Sequence, residues 1–265
     1  MSHFTVLVIG KNIEKQLKPY DENKDVKPYV KHNKRNAAKE LAAEVARYEN
    51  YVNGPDKENY NQERCKEQLK KYQAMTPAEY WEELCKYEEK ENIKNGCIYS
   101  TYNPNSKWDW YSIGGRWTGF FKPKNGAKGK LGRSGAFGNQ PEENHFDSML
   151  KKDIDFEGMK AEERAKREKW WNEAQEKIKQ GDKNAAWMFD IHDGDTKESY
   201  INRGEDGIMT FAVVKDGKWY EQAEMGWWGC TGDKKISDEE WAKQYTKLID
   251  SLPDNTLLTV VDCHI

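Results

Sequence analysis

Aliphatic residues are in short supply in this chain of 265 residues. Apolar side chains of all kinds make up 36% against 34% charged, and the mean hydropathy is −1.09. The core should be thin for the length, with much of the surface given to solvated helix. No stretch approaches the roughly 18 apolar residues of a membrane span, so a helix that crosses a membrane is not expected. Neither sign of charge dominates: 43 Lys and Arg stand against 46 Asp and Glu, a net −3. That balance gives no broad pull toward nucleic acid or anionic membrane, and it falls short of the acidic surface a nucleic-acid mimic needs. The five cysteines (Cys65, Cys85, Cys97, Cys230 and Cys263) are odd in number, scattered and without a C-x-x-C pair, which predicts a reduced, cytoplasmic protein. The run "VLVIGKN" lacks the first glycine and the Ser/Thr of a P-loop, and no G-x-S-x-G elbow or fixed-period repeat occurs. The opening "MSHFTVLVIG" has no basic segment before its short apolar run, so it reads as a first strand rather than a signal peptide.

Against these shortages stand eleven tryptophans, each able to bury about 200 Å². Such a chain folds around aromatics more than aliphatics, and it is too aromatic for general disorder. "HFTVLVIG" predicts a buried strand and "IEKQLKPY" a short helix. "KDVKPYVKH" suits an edge segment, because Pro28 cannot donate to a ladder. Helices are expected from Asn36 to about Tyr51 and through "KENYNQERCKEQLKKYQAM". A third should run through "TPAEYWEELCKYEEK", where Thr76 and Glu79 form a capping box. "GCIYSTY" returns to β character, and "WDWYSIGGRWTGFFK" predicts a hairpin or two strands meeting near Gly114 and Gly115. A Gly- and Lys-rich loop, a charged helix ending near Gly181, and a hairpin turning at Asp216-Gly217 follow. Ser237 then caps a helix, and "NTLLTVVDCHI" closes as a strand. The order predicts a single α+β domain over 1–265, with a mostly antiparallel sheet, helices on one face, and a helical insertion or subdomain at 34–95. In its ferredoxin-like version the first and last strands are antiparallel neighbours, so His3 meets His264.

The densest aromatic segment is "NPNSKWDWYSIGGRWTGFF". In an extended strand Trp108 and Trp110 share one face, and Asp109 and Tyr111 the other. Two indoles side by side make a stacking platform for a flat ring, to which Trp117 adds a third. Gly114 and Gly115 let backbone N–H groups approach a ligand, and Arg116 offers a planar fork for phosphate or carboxylate. The plain alternative is that these tryptophans fill the core, the glycines make a turn and Arg116 pairs with Asp109. In "EMGWWGC", adjacent Trp227 and Trp228 cannot both point inward from an extended segment, so one should face a contact surface or lie under a loop. His3, Asp262 and His264 would come together at the paired chain ends and could hold a divalent metal or serve in acid–base work; their spacing matches no standard metal motif, and no cofactor is expected. "FDIHDGD", with His192, Asp193 and Asp195, is a second His–carboxylate group that reads first as a polar turn. Lys122, Lys124, Lys128, Lys130 and Arg133 form a basic run that could close over an anion or simply be solvated.

The segments "MSHFTVLVIG", "NPNSKWDWYSIGGRWTGFF", "EMGWWG" and "LLTVVDCHI" resemble a family of uncharacterised proteins of bacteriophages and prophages. The resemblance implies a cytoplasmic, phage-borne protein of a class that often antagonises host defence, and it implies no specific activity. Together the residues point to a non-catalytic binder of a small nucleotide-derived ligand, such as a host immune signal. Trp108, Trp110 and Trp117 would stack, Arg116 would take the phosphate, and Trp227 with Trp228 would form the opposite wall. The alternatives are a metal-dependent nucleotide or phosphoester hydrolase using His3, Asp262 and His264, and an inhibitor that binds a host defence protein. Neither a membrane nor nucleic acid is an expected partner.

Overall fold

The strand β1 (His3–Ile9) is buried along almost its whole length, as its unbroken apolar run requires of a strand covered on both faces. From it the chain runs through α1 (Ile13–Leu17), β2 (Tyr29–Asn33), α2 (Ala37–Asn53), α3 (Gln62–Ala74), α4 (Pro77–Lys86), β3 (Ile93–Lys94), β4 (Cys97–Ser100), β5 (Trp110–Gly115), β6 (Arg133–Ser134) and β7 (Ser148–Leu150). Then come α5 (Phe156–Lys179), α6 (Ala185–Met188), α7 (Lys197–Asn202), β8 (Ala212–Lys215), β9 (Lys218–Glu221), α8 (Asp238–Asp250) and β10 (Leu257–His264). The computed structural model describes residues 2–55, 57–134, 140–141, 143–226, 232 and 235–265, without the side chains of Asn59, Ser134, Glu205 and Asp206. The fold is α+β, in two compact units: 1–23 with 104–265, and 24–103.

The larger unit is built on a mixed, mainly antiparallel sheet in the order β6-β5-β10-β1-β8-β9, with β7 also on β10. The chain ends meet as the strand reading predicts: β1 and β10 are antiparallel, with His3 opposite His264 and Thr5 opposite Asp262. The ferredoxin-like version needs correction. There a strand of the hairpin separates β1 from the strand it parallels, whereas here β1 pairs directly and in parallel with β8, and β9 lies outside. The second correction concerns the Gly-Gly segment. β5 has no hairpin partner after the glycines; it pairs with β10 on one side and, in parallel, with the short β6. Beyond Gly115 the chain turns instead, with the N–H of Trp117 donating to the Gly114 carbonyl and that of Thr118 to Gly115. Part of the Gly- and Lys-rich loop is tied down by isolated bridges, Pro123 to Ile154 and Lys130 to Ser148.

Each face of the sheet has its own core, as strict alternation demands. On one, Leu7, Ile9, Val213, Leu258 and Val260 pack against Trp241, Tyr245 and Ile249 of α8 and Met159 of α5. On the other, Phe4, Val6, Val8, Val261 and Cys263 pack against Leu17 and Trp108. Ser237 caps α8 by accepting from the Glu240 N–H, and Asp216 and Gly217, both at positive φ, make the β8–β9 turn their sequence predicts.

The smaller unit joins a three-stranded antiparallel sheet, β2-β4-β3, to α2, α3 and α4. Ala37, Leu41, Tyr80, Trp81 and Ile98 form its core. Thr76 and Glu79 make the predicted capping box at the start of α4. The unit is wider than the helical stretch 34–95, because β2 and β4 pair across its two ends. The rings of Tyr60, Tyr51, Tyr48, Tyr72 and Tyr80 touch in succession through it.

Candidate functional site

The Gly114-Gly115 pair is where the larger unit concentrates its buried charge. Both glycines have positive φ, 75° and 58°, a region that residues carrying a Cβ rarely adopt. A Cβ on Gly114 would overlap the carboxylate of Asp147, and one on Gly115 would overlap Asp262. Asp147 is wholly buried and accepts from the backbone N–H groups of Gly119 (2.5 Å) and Gly132 (2.7 Å). Asp262 Oδ2 accepts from the Arg116 N–H at 2.9 Å. The space a Cβ would need at either glycine is thus taken by a protein carboxylate.

Asp262 also anchors a second group. Its Oδ1 lies 2.8 Å from His3 Nδ1, while Asp109 Oδ1 lies 2.7 Å from His264 Nδ1. The two imidazoles meet edge to face with centroids 4.9 Å apart. Trp110 stacks on His264 at 4.9 Å with a 17° interplanar angle and meets the edge of His3 at 5.2 Å. The register puts His3, Thr5, Asp262, His264, Trp110 and Ser112 on one sheet face, beyond the end of the apolar core. His3, Asp262 and His264 therefore do come together, but each ring's Nδ1 is held by a different carboxylate. Among the described residues no group of three or more His, Cys, Asp or Glu is arranged to hold a metal ion.

A cleft of about 890 Å³ lies between the turn after β5, the outer face of α5 and the 204–208 turn. Arg116, Trp117, Lys166, Arg167, Lys169 and Trp170 are among the residues that line it. Lys166 and Arg167 lie over the Trp170 ring at 5.0 and 5.9 Å from its centroid. Glu163 pairs with Lys166 at 3.4 Å, and Glu162 bonds Lys122 and, at 3.2 Å, His145. Cations outnumber acids along the walls, and flat rings stand among them.

The sequence-predicted residues separate accordingly. Trp108 and Trp110 do not share a face, because the strand begins only at Trp110. Trp108 is 7% exposed, packs on Tyr111 and donates from Nε1 to the Leu17 carbonyl at 3.2 Å, whereas Trp110 is 44% exposed on the opposite side. Burial raises the Tyr111 phenol. Asp109 pairs with His264 rather than Arg116, and of the predicted residues that the structure describes, Arg116 and Trp117 line the cleft. Trp227 and Trp228 lie outside the described residues. His192, Asp193 and Asp195 form a polar turn, where Arg203 bonds Asp195 with both guanidinium nitrogens (2.7 and 2.9 Å) and holds its carboxyl below the usual range. Of the basic run, Lys122 pairs with Glu162 and Lys124 donates to the Lys152 carbonyl.

Sequence reasoning passed over Asp147 and the α5 wall. Asp147 carries no local signal, since its partners come from 15 and 28 residues away. The wall had one: Glu163, Lys166, Arg167 and Trp170 fall at three- and four-residue spacing on one helix face. No family model, no curated protein and no solved structure matches this chain.

Proposed function

We propose that this protein binds a small, anionic, ring-bearing ligand of the nucleotide class in the cleft beside α5. The observation that carries the reading is the coincidence in one concavity of aromatic rings, the exposed Trp170 and the part-buried Trp117, with four cations, Arg116, Lys166, Arg167 and Lys169. The volume falls within the few hundred to about 1,000 Å³ of ordinary ligand sites. Aromatic faces accept a base with little regard to its identity, and guanidinium groups suit phosphate. The resemblance to bacteriophage proteins makes a nucleotide-derived host signal a fitting ligand, with sequestration as the outcome.

Calorimetric titration with mono-, di- and cyclic nucleotides tests the reading. Binding of one of them, weakened tenfold or more by Arg116→Ala with the circular dichroism spectrum unchanged, is the expected result. No heat with any phosphate-bearing nucleotide would count against it. A second reading has its own observation: Trp187 of α6 is 85% exposed beside exposed Met188, which favours a protein contact such as a host defence factor. A stoichiometric partner lost on Trp187→Ala would move the function to that surface.

A further inference from the structure

The His3–His264 pair is unused by ligand binding in the cleft, and none of its groups lines that cleft. Both imidazoles are fixed in the same manner, Nδ1 against a carboxylate, which orients the ring and leaves Nε2 as the working nitrogen. Among the described residues, neither Nε2 has a hydrogen-bond partner, and no buried side-chain nitrogen or oxygen lacks one. Neither Nε2 is therefore wholly sealed off, although the two side chains are only 9% and 5% exposed. Two oriented imidazoles 4.9 Å apart by centroid can act on one substrate, one taking a proton while the other gives one. No protein nucleophile accompanies them, since no hydroxyl or thiol bonds either ring. Cys263, their neighbour in sequence, points into the opposite core, and burial pushes its thiol well up.

A pair of this kind suits a substrate that brings its own nucleophile and its own leaving group. We infer that His3 and His264 form an acid–base site that cleaves ribonucleotide 3′,5′-phosphodiesters by attack of the 2′-hydroxyl. The half-exposed Trp110 ring, stacked on His264, gives a base a flat face to meet. The Arg116 backbone N–H bonds one oxygen of the Asp262 carboxylate whose other oxygen holds His3, and so helps to fix that carboxylate. In the step, the 2′-hydroxyl proton passes to Nε2 of the neutral imidazole as the 2′-oxygen bonds to phosphorus. The bond from phosphorus to the 5′-oxygen breaks, and that oxygen takes the proton from Nε2 of the protonated imidazole. The products are a 2′,3′-cyclic phosphate and a free 5′-hydroxyl, and no oxidant or co-reactant enters the balance. Asp262 and Asp109 are positioning residues.

The test is incubation of the full chain in EDTA with a linear diribonucleotide, its 2′-deoxy analogue and a cyclic diribonucleotide, with products read by phosphorus NMR. Cleavage of either ribonucleotide to a 2′,3′-cyclic end, with the deoxy analogue intact, is expected. The linear or cyclic arm that reacts identifies the source of the bond. His3→Ala and His264→Ala should each slow the reaction 10²–10⁴-fold, and Asp109→Asn should lower kcat while KM holds. Absence of cleavage by the wild-type chain, equal cleavage of the deoxy analogue, or full activity in either folded histidine variant would overturn the inference. The deoxy comparison needs no variant, so it decides the matter even if a histidine variant does not fold. Trp117→Ala and Trp170→Ala affect cleft binding, so loss of binding there with cleavage retained separates the two sites.

Discussion

Gly115 and Asp262 occupy one another's space: the glycine stands where a Cβ would overlap the Asp262 side chain, and its φ of 58° is left-handed. The close approach lets Asp262 accept from Arg116 N–H while its other oxygen holds His3. Gly115→Ala should therefore cost about 2 kcal/mol or more, from the left-handed backbone alone plus the displaced carboxylate. Chemical denaturation would show a lower midpoint with an unchanged slope. A wild-type midpoint would mean that β5 and β10 can part without penalty.

Trp108 and Trp110, two residues apart, should respond in opposite ways to truncation. Trp108 fills the core of one sheet face and spends its indole N–H on Leu17, so Trp108→Ala should cost about 3–5 kcal/mol. Trp110 is half exposed and leans on a histidine, so Trp110→Ala should cost about 1 kcal/mol or less. Thermal melts of the two variants would check this, and equal losses would contradict the assignment of faces.

The same pair shows how far the sequence reaches. Period-two alternation is reliable only inside a strand, and nothing local says that the strand starts at Trp110 rather than Trp108. Strands announced by dense β-branched runs, such as β1 and β10, were legible, as were helices with caps, such as Thr76-Glu79 and Ser237. The meeting of His3 with His264 follows from the antiparallel pairing of the terminal strands. The partners of the glycine pair were not legible, because Asp147 reaches them across the fold and no spacing records it. Nor was the choice of β8 over β9 as the strand beside β1, since a symmetric hairpin pattern fits either order. The cleft's second wall was written on α5 in four spaced residues, but which face of a charged helix meets a cavity is decided by tertiary packing.

Alkali should weaken the fold before it reaches the ordinary range of lysine. Burial raises the Tyr245 phenol, opposed only in part by its hydrogen bonds to Thr210. Burial, with the nearby Asp262 and Asp109 charges, raises the Cys263 thiol. Both groups hold their proton longer folded than unfolded, so their contribution is whole below the unfolded values of about 8.5 and 10 and is lost as pH rises beyond them. Each should remove up to about 1.4 kcal/mol per pH unit above its unfolded value. Urea midpoints at pH 7, 9 and 10.5 should fall in that order, and Cys263→Ala should delay the onset of the decline. A flat profile to pH 10.5 would show that neither group stays protonated in the fold.

Ligand binding in the cleft should divide into a part that salt removes and a part that it does not. In the proposed binding, Arg116, Lys166, Arg167 and Lys169 would act on an anion at partly exposed positions, where screening at 0.15 M ionic strength sets in within about 8 Å. Trp117 and Trp170 would act through their ring faces, worth roughly 1–3 kcal/mol per stacked base and insensitive to salt. Trp170→Ala should weaken a nucleotide by about tenfold and leave the salt dependence of its Kd unchanged. Lys166→Gln should flatten that dependence, although it also releases Glu163 from its ion pair, so the double variant Lys166→Gln, Glu163→Gln is the proper comparison. Titrations at 50 and 300 mM salt measure both effects. If Trp170→Ala changed the salt slope while the double variant did not, the cations and not the ring would be holding the base, and the orientation of the ligand in the cleft would have to be reversed.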